Sequence, residues 1–367
     1  MRERELCEVI TASVGKTVKF FEERLQPSGS YGDDVTDVAC YFKSPMMFIV
    51  AGKPDLAART LDYSRSVFLR PDGDYMSSAT TKSVKPEYVE FYSYANGWLT
   101  RAGNALRRID VTSPSYVYLH QYFHRSTGGF LTHKVDSSDG VTDILTTAHH
   151  GLLNLEMGQI ELAEAAGQYL LRNLFLQPDL GRRFFLRMNK EGALATEFSP
   201  EAAWCYTLSK TEPNQVYFMI GYPMAYLALL YKATGKQEYL DGARQYLEFA
   251  LSCNESIFSC NFSHKIAWAC SIIYSITGDE RCLDAVERIT RHFVSTQSRE
   301  GLWYPEDKTT AFDQSAEIAC WLCEIRKNLS EVFEKKEGRM INRLRCYFET
   351  RLLKDQRKTK RCPQGEQ

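Results

Sequence analysis

A unit of helix, glycine turn and second helix recurs along this chain, and that recurrence limits the possible folds more than any other feature. Val35-Thr-Asp-Val-Ala-Cys-Tyr-Phe-Lys43 runs on to Gly52-Lys-Pro-Asp-Leu-Ala-Ala. Val141-Thr-Asp-Ile-Leu-Thr-Thr-Ala-His149 runs on to Gly158-Gln-Ile-Glu-Leu-Ala-Glu. Asp37 stands as far before Gly52 as Asp143 stands before Gly158, and this register places Lys43 and His149 at equivalent positions. The same punctuation returns at Gly235-Lys-Gln-Glu-Tyr-Leu-Asp and Gly278-Asp-Glu-Arg-Cys-Leu-Asp. A fixed unit repeated this way implies stacked helical hairpins.

Two kinds of helix alternate. Apolar residues follow one-sided helical spacing in 54–69, 159–176, 237–252 and 280–296, with a first helix of this kind at about 4–25. Each later one opens with a polar or acidic turn after a glycine, which suits the end of one helix and the dipole of the next. Between them, 34–50, 88–106, 142–157, 214–234, 262–277 and 312–329 are apolar on more than one side. A helix apolar all round is a buried helix. The alternation predicts an all-α ring of about six hairpins, with outer helices surrounding inner ones.

The outer-to-inner turns also resemble one another. Gln26-Pro-Ser-Gly-Ser-Tyr31, Arg70-Pro-Asp-Gly-Asp-Tyr75, His124-Arg-Ser-Thr-Gly-Gly-Phe130, Gln177-Pro-Asp-Leu-Gly-Arg-Arg-Phe184 and Gln297-Ser-Arg-Glu-Gly-Leu-Trp303 form a series. Glycine permits the tight turn, the aromatic ring packs under helix ends, and the glutamine amide can cap a neighbouring helix. The Gln297–Trp303 form resembles the QW motif of squalene and oxidosqualene cyclases. More broadly, residues 1–330 resemble the α/α-toroid superfold. That group includes terpenoid cyclases, prenyltransferase β-subunits, six-hairpin glycosidases, sugar 2-epimerases and lanthionine cyclases. The resemblance implies an (α/α)6 barrel as one domain, followed over 331–367 by a basic, partly helical C-terminal extension.

The chain has 367 residues, 44% of them hydrophobic, and a formal charge of −1. It can bury a large core, and its neutrality argues against nucleic acid as a partner. No apolar stretch reaches the roughly 20 residues of a membrane span, and no signal peptide is evident. Eleven cysteines without an export signal suggest reduced thiols in the cytoplasm. Cys320-Trp-Leu-Cys323 lies inside a helical pattern with no second pair, so it reads as packing.

In a toroid the N-terminal ends of the inner helices surround the mouth of a central cavity. The register puts Asp37, Asp143, Asp313 and His264 there as catalytic candidates, joined by Glu317 and by His149 of the third inner helix, whose facing the register leaves open. Tyr94, Asn96, Trp98, Tyr217, Tyr222 and Trp268 are the candidate substrate-binding residues. Asp313 and Glu317 lie one helical turn apart on one face. Asp313 is expected to act as a base or orienter, and His264, by its ordinary pKa, as a proton donor. The repeated Asp37 and Asp143 fit helix caps equally well. Asp33-Asp-Val-Thr-Asp37 reads like the magnesium-diphosphate motif of class I terpene synthases, but a second metal motif is missing. The DxDD acid of class II cyclases is absent too. Ala203-Trp-Cys-Tyr206 lacks the further ligands of a zinc cyclase. No metal and no cofactor are expected.

These features lead to three functional readings. The first is a biosynthetic cyclase or isomerase acting on a small, largely apolar molecule, because the aromatic fraction is 13% and aromatic faces steer cations. Acid/base groups or a shape-guided pericyclic closure would then do the chemistry. The second is a glycosidase, unsaturated uronyl hydrolase or sugar epimerase, with Arg101, Arg187 and Gln215 as polar partners. The third is a non-catalytic toroid that binds a peptide or metabolite.

Overall fold

The computed structural model describes residues 2–137 and 139–359. Outer and inner helices alternate in chain order. Helix α1 (Arg2–Arg24) is outer and α2 (Ser44–Val50) inner. The pair repeats as α3 (Pro54–Phe68) with α4 (Tyr94–Ala105), and as α5 (Ile109–Leu119) with α6 (Ile144–Glu156). Outer α7 (Ile160–Phe175) leads through a short helix, α8 (Ala203–Tyr206), to inner α9 (Phe218–Thr234). Then come α10 (Gln237–Leu251) with α11 (His264–Thr277), and α12 (Glu280–Thr296) with α13 (Lys308–Thr359).

The inner helices α2, α4, α6, α9, α11 and α13 pack side by side, and α13 returns to α2. The ring is therefore closed. Helices α3, α5, α7, α10 and α12 each back the inner helix before them in sequence, and α1 backs α13. Burial follows this plan. Every residue of α6 from Ile144 to Asn154 is buried, whereas α12 buries one stripe that includes Leu283, Val286, Ile289 and Phe293. Three short antiparallel ribbons brace the loops: β1 (Phe123–His124) with β2 (Gly129–Phe130), β3 (Thr142–Asp143) with β5 (Arg187–Met188), and β4 (Arg183–Phe185) with β6 (Thr207–Ser209).

The repeated turns act as staples between successive outer helices. Gly29, after α1, has φ +87°, and a Cβ there would sit 2.2 Å from the Arg59 carbonyl oxygen of α3. Gly73, after α3, would likewise meet the Pro114 carbonyl oxygen of α5 at 2.3 Å. Gly301, after α12, has φ +92° and would meet the Lys16 backbone of α1 at 2.6 Å. Only glycine takes this backbone without strain and lets the next helix come so close. Gln297 completes the last staple: its Nε2 donates to the Ser13 carbonyl at 3.0 Å and to Thr17 Oγ1 at 2.9 Å, both on α1. Trp303 is buried, and its Nε1 donates to the Phe293 carbonyl at 2.8 Å.

Three elements differ from the sequence reading. The first inner segment is helical only from Ser44. Pro45 sits in the first helical turn, so 34–43 forms turns and a 3-10 segment, Val38–Cys40. Helix α5 completes a hairpin that the apolar spacing did not reveal, because Pro114 interrupts it and its apolar residues do not keep to one side: Ile109 and Val117 are exposed while Thr112 and Ser115 are buried. Helix α13 begins at Lys308 and runs unbroken through Ser330 into the expected extension. There Lys336 Nζ reaches Glu3 Oε1 at 2.5 Å and the Tyr274 hydroxyl at 2.8 Å. The basic residues Lys360 and Arg361 of that extension lie outside the described residues. No described helix is long and apolar enough to cross a membrane. Cys320 and Cys323 are buried free thiols of α13, and burial pushes the Cys323 thiol up to about 11.

Candidate functional site

A cavity of about 310 Å³ opens at one mouth of the ring. Its walls are Phe91, Trp204, Phe218, Phe262 and Tyr304, with Leu145 and Val216 between them. Its floor is ionic and holds Lys43, Lys265, Asp313 and Glu317. Lys43 comes from the entry to α2, Lys265 from the first turn of α11, and the carboxylates from one face of α13. Helices remote in sequence therefore meet at one cluster because the ring closes.

Glu317 is the hub. It accepts from Lys43 Nζ at 2.5 Å, from Lys265 Nζ at 2.9 Å, from the Tyr94 hydroxyl at 3.0 Å and from Trp321 Nε1 at 3.3 Å. Burial alone would raise its pKa, but Lys265 and Lys43 outweigh that and hold the carboxyl well below its usual range. Asp313 is closer to the solvent side. It accepts from Lys43 at 2.8 Å, from the Tyr88 hydroxyl at 3.2 Å and from Gln314 Nε2 at 2.8 Å. There burial wins over the pull of Lys43, and the carboxyl rises above its ordinary value. The lysines diverge as well. Burial lowers Lys265 to about 8 against the attraction of Glu317, and repulsion from Lys43 adds to the shift. Burial also works against the charge of Lys43, but its two carboxylate partners hold it above the usual ammonium value. The cluster thus holds one carboxylate and one ammonium kept charged by their partners, a second carboxyl shifted upward by burial, and an amine shifted down to about 8.

Asp313, Glu317 and Tyr94 thus meet at the cavity. His264 lies close behind them, with Nε2 3.9 Å from Glu317 Oε2, too far for a hydrogen bond. Burial and Lys265 lower its pKa to about 4. The ring is neutral near pH 7, which is not the charged state expected of a proton donor. Asp313 also departs from expectation, because α13 starts at Lys308 and the side chain lies inside the helix, away from its N-terminal dipole.

The other candidates lie elsewhere. Asp37 caps the 3-10 turn through the Ala39 N–H at 2.8 Å and holds the next loop through the Val84 N–H at 2.7 Å. Asp143 caps α6 through the Thr146 N–H at 2.5 Å. Asn96 points between α4 and α5, where it accepts from Lys82 at 2.7 Å and donates to the Gly73 carbonyl at 3.0 Å. Tyr217 bonds Ser256 at 3.0 Å in the loops. The diphosphate-like run is dispersed: Asp34 pairs with Lys308 while Asp37 serves as a cap. Among the described residues, no group of three or more His, Cys, Asp or Glu side chains is placed to hold a metal ion.

Below the ionic floor the bore is filled with rings. Trp268 stacks on Trp321 with centroids 3.9 Å apart, Tyr222 meets Trp268 at 5.5 Å, and Trp98 meets Trp321 at 5.3 Å. His149 sits in this layer, 4.5 Å from the Tyr94 ring and 5.6 Å from Tyr222. Burial keeps it neutral, with a pKa well below the usual value. It supports Tyr94 from behind without reaching the cavity.

The sequence reading passed over Lys43 and Lys265 as functional residues. The usable signal was a lysine inside the mostly apolar stretch Cys40–Phe48 and another at the head of the mostly apolar run Ile266–Ile273. A buried charge without a partner is too costly to keep, so a lone lysine there implies a facing carboxylate.

No protein-family model matches the sequence, and no curated protein does. Solved structures do match the fold. A D-mannose isomerase superposes with a TM-score of 0.60 at 12% identity, covering 86% of this chain and 96% of that one. A GH76 α-mannanase from Bacteroides thetaiotaomicron gives 0.59 at 14% identity, covering 89% and 97%. A type II terpene cyclase from Scytonema, in complex with merosterolic acid A, gives 0.56 at 12% identity, covering 89% and 99%. At these identities the likeness establishes architecture and not reaction. The chain is an α/α-toroid.

Proposed function

We propose that this protein is an enzyme that isomerises or cyclises a small, largely apolar molecule by proton transfer in the aromatic-walled cavity. The observation that carries this reading is the divergence of Asp313 and Glu317. Two carboxyls on one helix face are pushed in opposite directions by their surroundings, and such a split assigns acid and base roles. Asp313, whose pKa burial raises, is the carboxyl of the pair better suited to carry a proton to the substrate. Glu317, held by four donors, stays ionised and fixes both lysines. Once it has given its proton up, the Asp313 carboxylate is available to take one back. The walls offer ring faces on which a cationic intermediate is stabilised, and their shape favours a folded substrate.

One observation favours a second reading, carbohydrate chemistry. Trp204 is half exposed at the cavity mouth, where it could stack on a sugar ring, and structural neighbours with sugar-enzyme names include the mannose isomerase, several GH76 enzymes and an unsaturated glucuronyl hydrolase. Against this reading, the polar groups of the floor are mostly bonded to one another, and the walls provide few further partners for hydroxyls.

Saturation-transfer NMR with two panels tests the choice. One panel holds small aromatic and terpenoid molecules, and the other holds mannose, glucuronate and their oligomers. Binding of the first panel with loss of turnover in Asp313→Asn is expected. Binding confined to the sugars would replace this reading with the second.

A further inference from the structure

We propose that Lys265 is a nucleophile that forms an imine with an aldehyde or ketone group of the substrate. This inference rests on the reading of the cavity as an active site and narrows its substrate to carbonyl compounds.

Several observations converge on Lys265 rather than Lys43. The Lys265 side chain is 4% exposed and lines the cavity. Among the described residues its Nζ has one ionic partner, Glu317 at 2.9 Å, and that carboxylate is already shared with Lys43 at 2.5 Å. Lys43 is bound by two carboxylates and stays an ammonium. The Lys265 ammonium otherwise faces the rings of Phe218 at 5.1 Å and Phe262 at 5.4 Å. The charged and titratable groups around it are Glu317 and Asp313 from α13, Lys43 at the entry to α2 and the neutral His264 on its own helix, and the Lys43 ammonium opposes its charge. A desolvated lysine beside a second cation is the setting in which an amine becomes nucleophilic near neutrality. With its pKa at about 8, its neutral fraction at pH 7 is on the order of a hundredfold that of an ordinary lysine. The backbone is held in place as well. A Cβ at Gly221 of α9 would sit 2.8 Å from the Lys265 carbonyl carbon, so the glycine seats α11 tightly against α9.

The chemistry balances. The Lys265 amine adds to the carbonyl carbon, a C–N bond forms, and the oxygen becomes a hydroxyl with the proton that the nitrogen gives up. Asp313 donates a proton to that hydroxyl, which leaves as water, and C=N replaces C=O. One amine, one carbonyl and one proton give one iminium and one water. The iminium withdraws electrons from its neighbours. That acidifies the adjacent C–H and activates a conjugated chain toward ring closure. Attack of water on the iminium returns the amine and releases the product.

The test uses the full-length protein with trans-cinnamaldehyde and sodium borohydride, followed by peptide mass mapping. The expected result is one preferred adduct on Lys265, with the mass of the aldehyde less one water plus two hydrogens. It should be lost in Lys265→Arg, which keeps the cation facing Glu317. The trapping rate should rise with pH through a midpoint near 8, where exposed lysines would show none. In parallel, cinnamyl alcohol, which has no carbonyl, reports cavity binding by a saturable rise in Tm. Alcohol binding with adducts only on exposed lysines or on Lys43 would overturn the imine and leave the apolar active site standing. Absence of both binding and a Lys265 adduct would remove the active-site reading and the imine together.

Discussion

Lys43 Nζ lies 2.8 Å from Asp313 Oδ1, and this contact joins the first inner helix of the ring to the last. The same ammonium reaches Glu317 at 2.5 Å. The closure of the toroid and the floor of the cavity are therefore one structure. A residue that fails to close the ring also fails to form the site.

Removing the shared cation should show this. Lys43→Met leaves two buried carboxylates with less compensation and should lower stability by about 3–5 kcal/mol. Urea unfolding monitored by tryptophan fluorescence measures the change. Wild-type stability in the variant would mean that the ion cluster does not hold the ring closed.

Asp313→Asn should leave the fold intact, because the amide oxygen can still accept from Lys43 and Tyr88. Turnover should fall by about 100-fold or more, the scale of a general acid–base group. The limb of the pH–rate profile that belongs to Asp313 should disappear with it. An unchanged profile at full rate would exclude Asp313 as the proton carrier.

The last staple gives a test independent of chemistry. Trp303→Ala should lower stability by about 3–5 kcal/mol, because removing a buried indole leaves a cavity and deletes its hydrogen bond to the Phe293 carbonyl. Gly301→Ala should also destabilise, since φ +92° and the Lys16 backbone leave no place for a Cβ. If both variants melt at the wild-type temperature, the turn is not a staple.

Asp143 predicts a pH dependence of stability. Burial, opposed by Arg187, raises its pKa from 3.8 to about 6 in the folded protein. Between those values the folded state binds more protons than the unfolded state, so this group's contribution to stability falls as pH rises and stays low above about 6. Asp143→Asn keeps a capping oxygen and has no charge to bury. Its stability relative to wild type should therefore grow from pH 4 to pH 6, by on the order of 2–3 kcal/mol in all. A difference that stays flat across this window would mean that Asp143 is not held in a charge-disfavouring site.

The sequence by itself determined the architecture. Its information was local and periodic: all-round apolar helices must be inside, one-sided helices outside, and glycine turns at fixed offsets mark each handover. The pattern located the Gln297–Trp303 staple and the pairing of Asp313 with Glu317 on one helix face. It missed α5, where Pro114, buried Thr112 and Ser115 and exposed Ile109 and Val117 erase the stripe, and it extended the first inner helix through the residues before Pro45. Tertiary structure alone decided the site. Asp37 and Asp143 begin repeat-equivalent segments, yet each is used up as a cap. Lys43 and Lys265 lie far apart in the chain and meet only because the ring closes on α13. Helical periodicity fixes which side of a helix faces inward. Protonation and reactivity depend on which side chains of other helices share that interior, and no local pattern encodes that.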